Sequence, residues 1–365
     1  MYLDRVQTAL DTIRAQDRYR SVQLRARPDM LDFSSNDYLA LSKDPQVVQA
    51  LRNAQRVGSG GSRLLGGSHR EHSLLEEELA EFLGRERALL FSSGYHAALG
   101  AISVLARIGE HIYSDRLNHA SLIDGMRLSG TARTIYPHRQ LPRREQREGP
   151  ALVVTESIFS MDGDCADLAG IVADLRADDV LLVDEAHAMG VAGPNGAGLA
   201  RTFDDPRVVV LGTLSKAFGA HGGFVAGPAP LIELLINTAR TFIYDSALPP
   251  AIALADRVAL VKLRGAAHAR ARLHDTVAHL RAGLRSLGLP AVDDPTPVVP
   301  VVLGSEARAL DVSAALEGKR IIAPAIRPPT VPEHESRLRL SIRADHQREQ
   351  IDLFIESLAA CIATS

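Results

Sequence analysis

The sequence predicts an α/β protein: a large domain on a mainly parallel sheet, followed by a smaller α+β domain. Three observations carry this. Continuous apolar runs recur between residues 88 and 227, separated by helix-forming segments. Such runs are what strands covered on both faces require. Near residue 250 the pattern changes to a long helical stretch rich in Ala, Arg and Leu, reaching about 287. Beyond it, single strands and helices follow one another. The expected boundaries are an N-terminal segment 1–40, a large domain 41–262 and a small domain 263–365.

In order along the chain, residues 3–19 read as a helix and LDF (31–33) as a short strand. A second helix starts near Pro45, since proline is tolerated in a first turn. GSGGSRLLGGS (58–68) is too glycine-rich for a regular element. The next helix sets Leu75, Leu79, Phe82 and Leu83 on one face, with Glu76, Glu77, Glu78 and Glu81 largely elsewhere. The expected strands are ALLF (88–91), HIYS (111–114), ALVVTE (151–156), VLLVD (180–184), VVVLG (208–212) and GFVAG (223–227). In the small domain VVPVVL (298–303) and RLRLSI (337–342) are strands, with a helix over 306–316. Ile351, Phe354, Ile355, Leu358 and Ile362 share one face of a last helix. The charge-rich HRQLPRREQREG (138–149) reads as a solvated loop.

Composition narrows the function. The 365 residues are 46% hydrophobic and 23% charged with a net charge of −3, enough for a sizeable core. The near-neutral balance argues against a general nucleic-acid binder. Two cysteines, Cys165 and Cys361, give no disulfide framework and suit a reducing compartment, so the cytoplasm is expected. No apolar run approaches the ~20 residues of a membrane span. The start, MYLDRVQTAL, is broken by charge and is not expected to act as a signal peptide.

VLLVDEAH (180–187) is a buried strand running into Asp184 and His187, and open α/β sheets bind ligands at the carboxyl ends of their strands. An acid there also serves as a loop cap. The letters DEAH match a helicase box too, but that reading needs a phosphate loop. Gly318-Lys319 is followed by Arg320 and preceded by Ser313 where a glycine is required, so it fails. VVVLGTLSKAFGAHGG (208–223) holds one lysine, Lys216, in a sparsely charged segment. Desolvation there makes an amine a nucleophile or a base. A lysine after one strand and an acid after another suit pyridoxal phosphate, whose aldehyde takes a lysine and whose ring nitrogen needs a carboxylate. The strand, turn and helix of FSSGYHAALGAISVLA (91–106) offer backbone N–H groups to a phosphate at Ser92, Ser93, Gly94 and Tyr95. Asp162 and Asp164 in MDGD (161–164) read as a turn rather than a metal site. His69 and His72 do not make a zinc site by themselves. No metal is expected.

The motifs together resemble the α-oxoamine synthases, pyridoxal-phosphate enzymes of the aspartate-aminotransferase fold. The resemblance spans nearly the whole chain. It rests on NDYLALS (36–42), GSGGSRLLGG (58–67), SSGYHAA (92–98), DRLNHASL (115–122), TESIFSMDGD (155–164), VDEAHAMGV (183–191), GTLSKAFGAHGG (212–223), SALPPA (246–251), AIRPPTVP (325–332) and RLRLSI. It implies the fold-type I architecture, with a mainly parallel seven-stranded sheet. AIRPPTVP followed by RLRL is most like the members that condense L-alanine with a pimeloyl thioester in biotin biosynthesis. Sister members take glycine or serine with other acyl thioesters. The acyl carrier, coenzyme A or a carrier protein, is left open.

By the same resemblance, Lys216 carries the cofactor and Asp184 pairs with the ring nitrogen. His187 bonds the phenolic oxygen and His119 stacks on the ring. Ser160 and Thr213 contact the cofactor, and Glu156 lies in the matching strand. Ser93, Gly94 and Tyr95 form the phosphate turn. Ser246 reaches the phosphate of a partner subunit, which implies a homodimer with shared active sites. Arg339 holds the amino-acid carboxylate, while Asn36 and Arg20 match substrate-side positions. Four departures stand out: Ala188 where a glycine is usual, Asp167 where a proline is common, Asp245 where Ser or Thr is frequent, and EHES (333–336), which replaces a small-residue turn before RLRL and bears on substrate preference.

Overall fold

The computed structural model describes residues 1–22 and 29–364. In chain order its strands are β1 (Leu31–Asp32), β2 (Arg87–Phe91), β3 (His111–Asp115), β4 (Arg133–Tyr136), β5 (Ala151–Glu156) and β6 (Val180–Asp184). They continue with β7 (Val208–Thr213), β8 (Gly223–Gly227), β9 (Val298–Gly304), β10 (Ile321–Ile322), β11 (Ala325–Ile326) and β12 (Ser336–Ser341). The chain divides into two compact units, one of Asn36–Ser160 with Asp164–Arg272, the other of Met1–Ser35, Met161–Gly163 and Leu273–Ser365.

The first unit is built on a seven-stranded sheet in the order β2-β8-β7-β6-β5-β3-β4. All of its pairings are parallel except those of β8, which runs antiparallel to both β2 and β7. Every residue of β5 and β7 is buried, which is why both read as unbroken apolar runs. The helix Gly94–Leu105 packs on one face. Its Ala97, Ala101, Ile102 and Leu105 join Leu152, Leu182, Val209 and Val225 from the strands in one core. Small residues on the helix and branched ones on the sheet let the two layers approach closely.

The second unit has a three-stranded antiparallel sheet, β11-β12-β9, and a separate parallel pair, β1 with β10. Pairing of Leu31 with Ile321 and of Asp32 with Ile322 draws the N-terminal residues into the same unit as the C-terminal ones. The unit boundaries therefore differ from those expected at 40/41 and 262/263.

Four further expectations need correction. The first helix covers only Tyr2–Ala15. The stretch from 250 to about 287 is two helices, Pro250–Arg264 and Ala267–Ser286, separated at Gly265. Strand β4 was not expected. It is the sheet edge, with Arg133, Thr134 and Ile135 exposed and only Tyr136 buried, so it lacks an apolar run.

The segment 138–149 is not wholly solvated. Its Arg147 side chain is fully buried, 3.0 Å from Asp179 and 3.2 Å from Asp174. His138 sits between Asp115 at 3.0 Å and Asp164 at 2.8 Å. The acids that pull these cations inward are 23 to 32 residues away in sequence, so a local charge count cannot reveal them.

Candidate active site

The carboxyl ends of β5, β6 and β7 and the start of the helix Gly94–Leu105 enclose a cavity of about 250 Å³. Ser93, Gly94, Tyr95, His119, Glu156, Asp184, His187, Thr213 and Lys216 all line it. These are nine of the expected site residues. A larger cavity of about 450 Å³, beside Arg139 and Arg144, has no lysine in its wall.

Lys216 follows β7 and places its Nζ 2.8 Å from His187 Nε2. The other ring nitrogen of His187 is 2.6 Å from the Tyr38 hydroxyl. Tyr38 in turn donates to Asn36 Oδ1 at 3.2 Å. That direction fixes the rest of the relay. The Tyr38 oxygen accepts from His187 Nδ1–H, so Nε2 carries the lone pair and accepts from the lysine. Tyr38 is fully buried and was not among the expected site residues. It lies inside NDYLALS, 149 residues from the histidine it orients.

Asp184 ends β6 and is 8% exposed; its Oδ1 accepts the Ala186 N–H at 2.9 Å. Glu156 ends β5 in register with Asp184 and is 2% exposed. Its Oε2 accepts the Ser160 N–H at 3.2 Å, while Oε1 has no hydrogen-bond partner. Burial pushes both carboxyls up, that of Glu156 well above the usual range. The Lys216 charge and backbone N–H groups oppose this. His119 caps the helix Ala120–Ser129, its Nδ1 accepting the Ser121 N–H at 3.2 Å. Its burial lowers its pKa, so the ring is held neutral with the proton on Nε2.

The geometry of the turn that opens the helix Gly94–Leu105 depends on two glycines. A Cβ on Gly94 would lie 3.0 Å from Thr213 Cβ, and one on Gly223 would lie 2.4 Å from the Gly94 nitrogen. Without side chains, β8 and the first turn of the helix close on each other, and the N–H groups at that helix start border the cavity. Ser93 caps the helix by accepting the His96 N–H at 3.2 Å. Thr213 donates to the Gly222 carbonyl at 3.0 Å. A primary amine, a buried strand-end carboxyl and a helix N-terminus in one cavity fit pyridoxal phosphate, which needs each of them.

The remaining expected residues are not in the cavity wall. Asn36 reaches it through Tyr38, and Ser160 through Glu156. Ser246 lies beside Asp245 and Arg63 in a separate crevice. Arg339 and Arg20 belong to the other unit. There Arg339 donates to Ser341 Oγ at 2.6 Å, and Arg20 to the Pro328 carbonyl at 3.4 Å.

The departures have local uses. Asp167 caps the helix Leu168–Ala173 by accepting the Gly170 N–H at 3.0 Å. Asp245 accepts from Ser92 and meets His96 Nδ1 at 2.8 Å, tying its loop to the phosphate turn. The buried Ala188 keeps a negative φ, so no glycine is needed there. The aspartates of MDGD go to ion pairs, Asp162 to Arg337 and Asp164 to His138. His72 is bound to the Leu248 carbonyl at 2.6 Å. Among the described residues, no group of three His, Cys, Asp or Glu is arranged to hold a metal ion. No described helix is long and apolar enough to cross a membrane.

The chain is similar to known proteins over nearly its whole length. The family model for aminotransferase class I and II matches residues 28–358. An 8-amino-7-oxononanoate synthase from Cellvibrio japonicus is 44% identical over 372 residues, covering 96% of this chain and 94% of its own. A solved serine palmitoyltransferase from S. paucimobilis with bound PLP superposes with a TM-score of 0.90 at 28% identity, covering 100% of this chain and 98% of its own. The crystal structure of 8-amino-7-oxononanoate synthase from Francisella tularensis gives 0.80 at 30% identity, over 93% and 99%. With a lysine, a buried acid and a helix start gathered in one pocket of this fold, the chain belongs to the aminotransferase class I and II family and, within it, to the α-oxoamine synthases: it is a pyridoxal-phosphate-dependent acyltransferase.

Proposed function

We propose that the enzyme condenses L-alanine with a pimeloyl thioester to give 8-amino-7-oxononanoate, carbon dioxide and the free thiol carrier, a step of biotin biosynthesis in the cytoplasm. The observation that carries this is the convergence of Lys216, Asp184 and the helix start at Gly94 on one cavity. The printed names of the 44% identical relatives supply the product. Pyridoxal 5′-phosphate, held there, supplies an aldehyde that joins amines and a ring that withdraws electrons from the α-carbon.

Each residue then has a task. The N–H groups of Gly94 and Tyr95 receive the phosphate, with Ser93 and Thr213 fixing that turn. Asp184 is the anion that keeps the ring nitrogen protonated. His187 takes a hydrogen bond from Lys216, and Tyr38 and Asn36 hold its imidazole in the tautomer that can do so. Lys216 thereby serves as nucleophile toward the aldehyde and as base toward the α-proton of alanine. The neutral ring of His119 limits movement of the bound cofactor. Arg339 suits the alanine carboxylate because its planar fork donates two parallel bonds. The α-carbon then joins the acyl carbon, the thiol departs, and the carboxylate leaves as carbon dioxide. Ser246 serves the phosphate of a second subunit in a homodimer; sedimentation as a fully active monomer would contradict that part.

Product analysis by mass spectrometry tests the substrates. The purified enzyme is offered alanine, glycine and serine against pimeloyl, acetyl, succinyl and palmitoyl thioesters. The expected result is 8-amino-7-oxononanoate from alanine and pimeloyl thioester at the highest kcat/KM. One methyl group is worth about 1–3 kcal/mol of discrimination, so glycine should follow roughly tenfold or more behind. A preference for serine with palmitoyl thioester would overturn the assignment.

A further inference from the structure

We propose that Glu156 works as a neutral, protonated carboxyl, a positioning residue that holds the Ser160 turn against the pocket and leaves Asp184 as the pocket's single anion. The inference rests on the reading that this pocket holds pyridoxal phosphate. It goes beyond the strand position that the family resemblance gives Glu156.

The argument begins with register. Glu156 and Asp184 are partners on adjacent parallel strands, so their side chains leave the same face about 5 Å apart. Both are almost wholly buried. Two carboxylates this close cannot both ionise unless cations compensate. One lysine, Lys216, shares the cavity with them. His119 is held neutral by burial. His187 spends its nitrogens on Tyr38 and Lys216. Glu185, the next residue after Asp184, is engaged elsewhere, with Ser157 and Ala200. One proton must therefore be shared between the two acids.

Glu156 is the better holder of that proton. Asp184 has the Ala186 N–H on Oδ1 and the Lys216 charge facing it. Glu156 accepts from Ser160 on Oε2 and also feels the backbone N–H of His119 and Lys216, but it faces the Asp184 charge and its Oε1 is buried with no hydrogen bond. An orphaned neutral O–H costs less than an orphaned carboxylate oxygen, because the ionised group loses far more hydration. The proton accordingly sits on Oε1, and the neutral acid still accepts the Ser160 N–H. Burial raises both carboxyls, and the Asp184 charge raises Glu156 further.

The test uses holoenzyme of wild type, Glu156→Gln and Glu156→Leu. Glutamine copies a neutral carboxyl, including the acceptor for Ser160. The pH midpoint of the cofactor's visible absorption should then stay within about 0.3 pH unit of wild type, and cofactor affinity within about threefold. Glu156→Leu should release cofactor at least tenfold more readily. Infrared difference spectra of wild type against Glu156→Gln, taken without cofactor, should show loss of a protonated-carboxyl band.

A midpoint shift of one unit or more in Glu156→Gln, or loss of a carboxylate band instead, would overturn the inference, since an ionised group would then have been removed. Cofactor release as fast as in the leucine variant would overturn it too. The parent reading fails in a different way: wild type would then develop no visible band with pyridoxal phosphate.

Discussion

Two buried polar clusters of the larger unit use the same side-chain types to opposite ends. At one, His138 lies between Asp115 and Asp164, with Arg139 N–H also bonding Asp115 at 2.7 Å. Both ring nitrogens meet an opposite charge, and the two carboxylates raise the histidine to about 9 against the opposing effect of burial. At the other, Asp184, Glu156, Lys216 and His187 surround a cavity, and one carboxyl oxygen has no partner. The first cluster pairs both nitrogens of His138 with carboxylates and acts as a structural clasp, although Asp164 Oδ1 has no hydrogen-bond partner. The second turns its amine and its two carboxyls toward a cavity, as expected where chemistry occurs. Residue type does not separate the two clusters; charge pairing does, since His138 meets a carboxylate on each nitrogen while Asp184 and Glu156 share one lysine.

The comparison can be broken at either end. The largest effect is expected at the clasp. His138→Leu takes away the cation that Asp115 and Asp164 share and leaves Asp164 only Arg139 at 3.4 Å, which costs about 3–5 kcal/mol. Denaturant unfolding measures that loss, while kcat of the folded fraction stays near wild type. The wild type should also show a pH slope. A histidine raised in the fold gives its full stabilisation below its unfolded value near 6.5. That contribution fades as the pH rises through about 9. His138→Leu should lack this decline. A variant that unfolds at wild-type denaturant concentration would make the clasp incidental.

The cluster at the cavity should respond the other way round. Asp184→Asn keeps the shape and the Ala186 bond but removes the charge, so stability should change by less than about 1 kcal/mol. Loss of about 2.7 kcal/mol of transition-state stabilisation corresponds to a hundredfold slower rate. Exchange of the alanine α-proton, followed by NMR, should fall by about that factor. Exchange at the wild-type rate would reduce Asp184 to a strand-end cap.

A smaller effect sharpens the rule. Asp256, in the helix Pro250–Arg264, is fully buried and neither of its carboxyl oxygens has a hydrogen-bond partner. It is incomplete yet lines neither cavity described above. Burial pushes its carboxyl well up. A carboxyl raised in the fold stabilises below its unfolded value near 3.9 and loses that contribution as the pH rises through its folded value. Asp256→Asn cannot ionise, so it should match wild type near pH 4 and exceed it by about 1 kcal/mol at pH 8. Equal melting temperatures at both pH values would show that Asp256 is relieved by a contact this account lacks.

How much of this was legible in the sequence follows from range. Strands such as β5 and β7 were plain because every residue in them is buried, leaving continuous apolar runs. Strand β4 was not, because an edge strand with three exposed residues carries no such run. Lys216, Asp184, His187 and His119 stood out within local motifs, and the structure gathers them in one cavity. Tyr38 was missed although its motif was seen, since its role depends on a histidine far along the chain. The clasp was misread for the same reason. His138 and Arg147 sit in a run of charge whose buried acidic partners come from other strands and loops.

The central claim is that one lysine carries the cofactor. The sequence holds four lysines: Lys43, Lys216, Lys262 and Lys319. Lys43 and Lys319 are exposed, and Lys262 is paired with Asp44 at 3.2 Å. Borohydride reduction of the holoenzyme followed by peptide mapping separates all four. The account predicts a single reduced pyridoxyl adduct on Lys216, absent from Lys216→Ala, whose exchange of the alanine α-proton should fall by about a thousandfold. An adduct on Lys43, Lys262 or Lys319, with Lys216 unmodified, would contradict it.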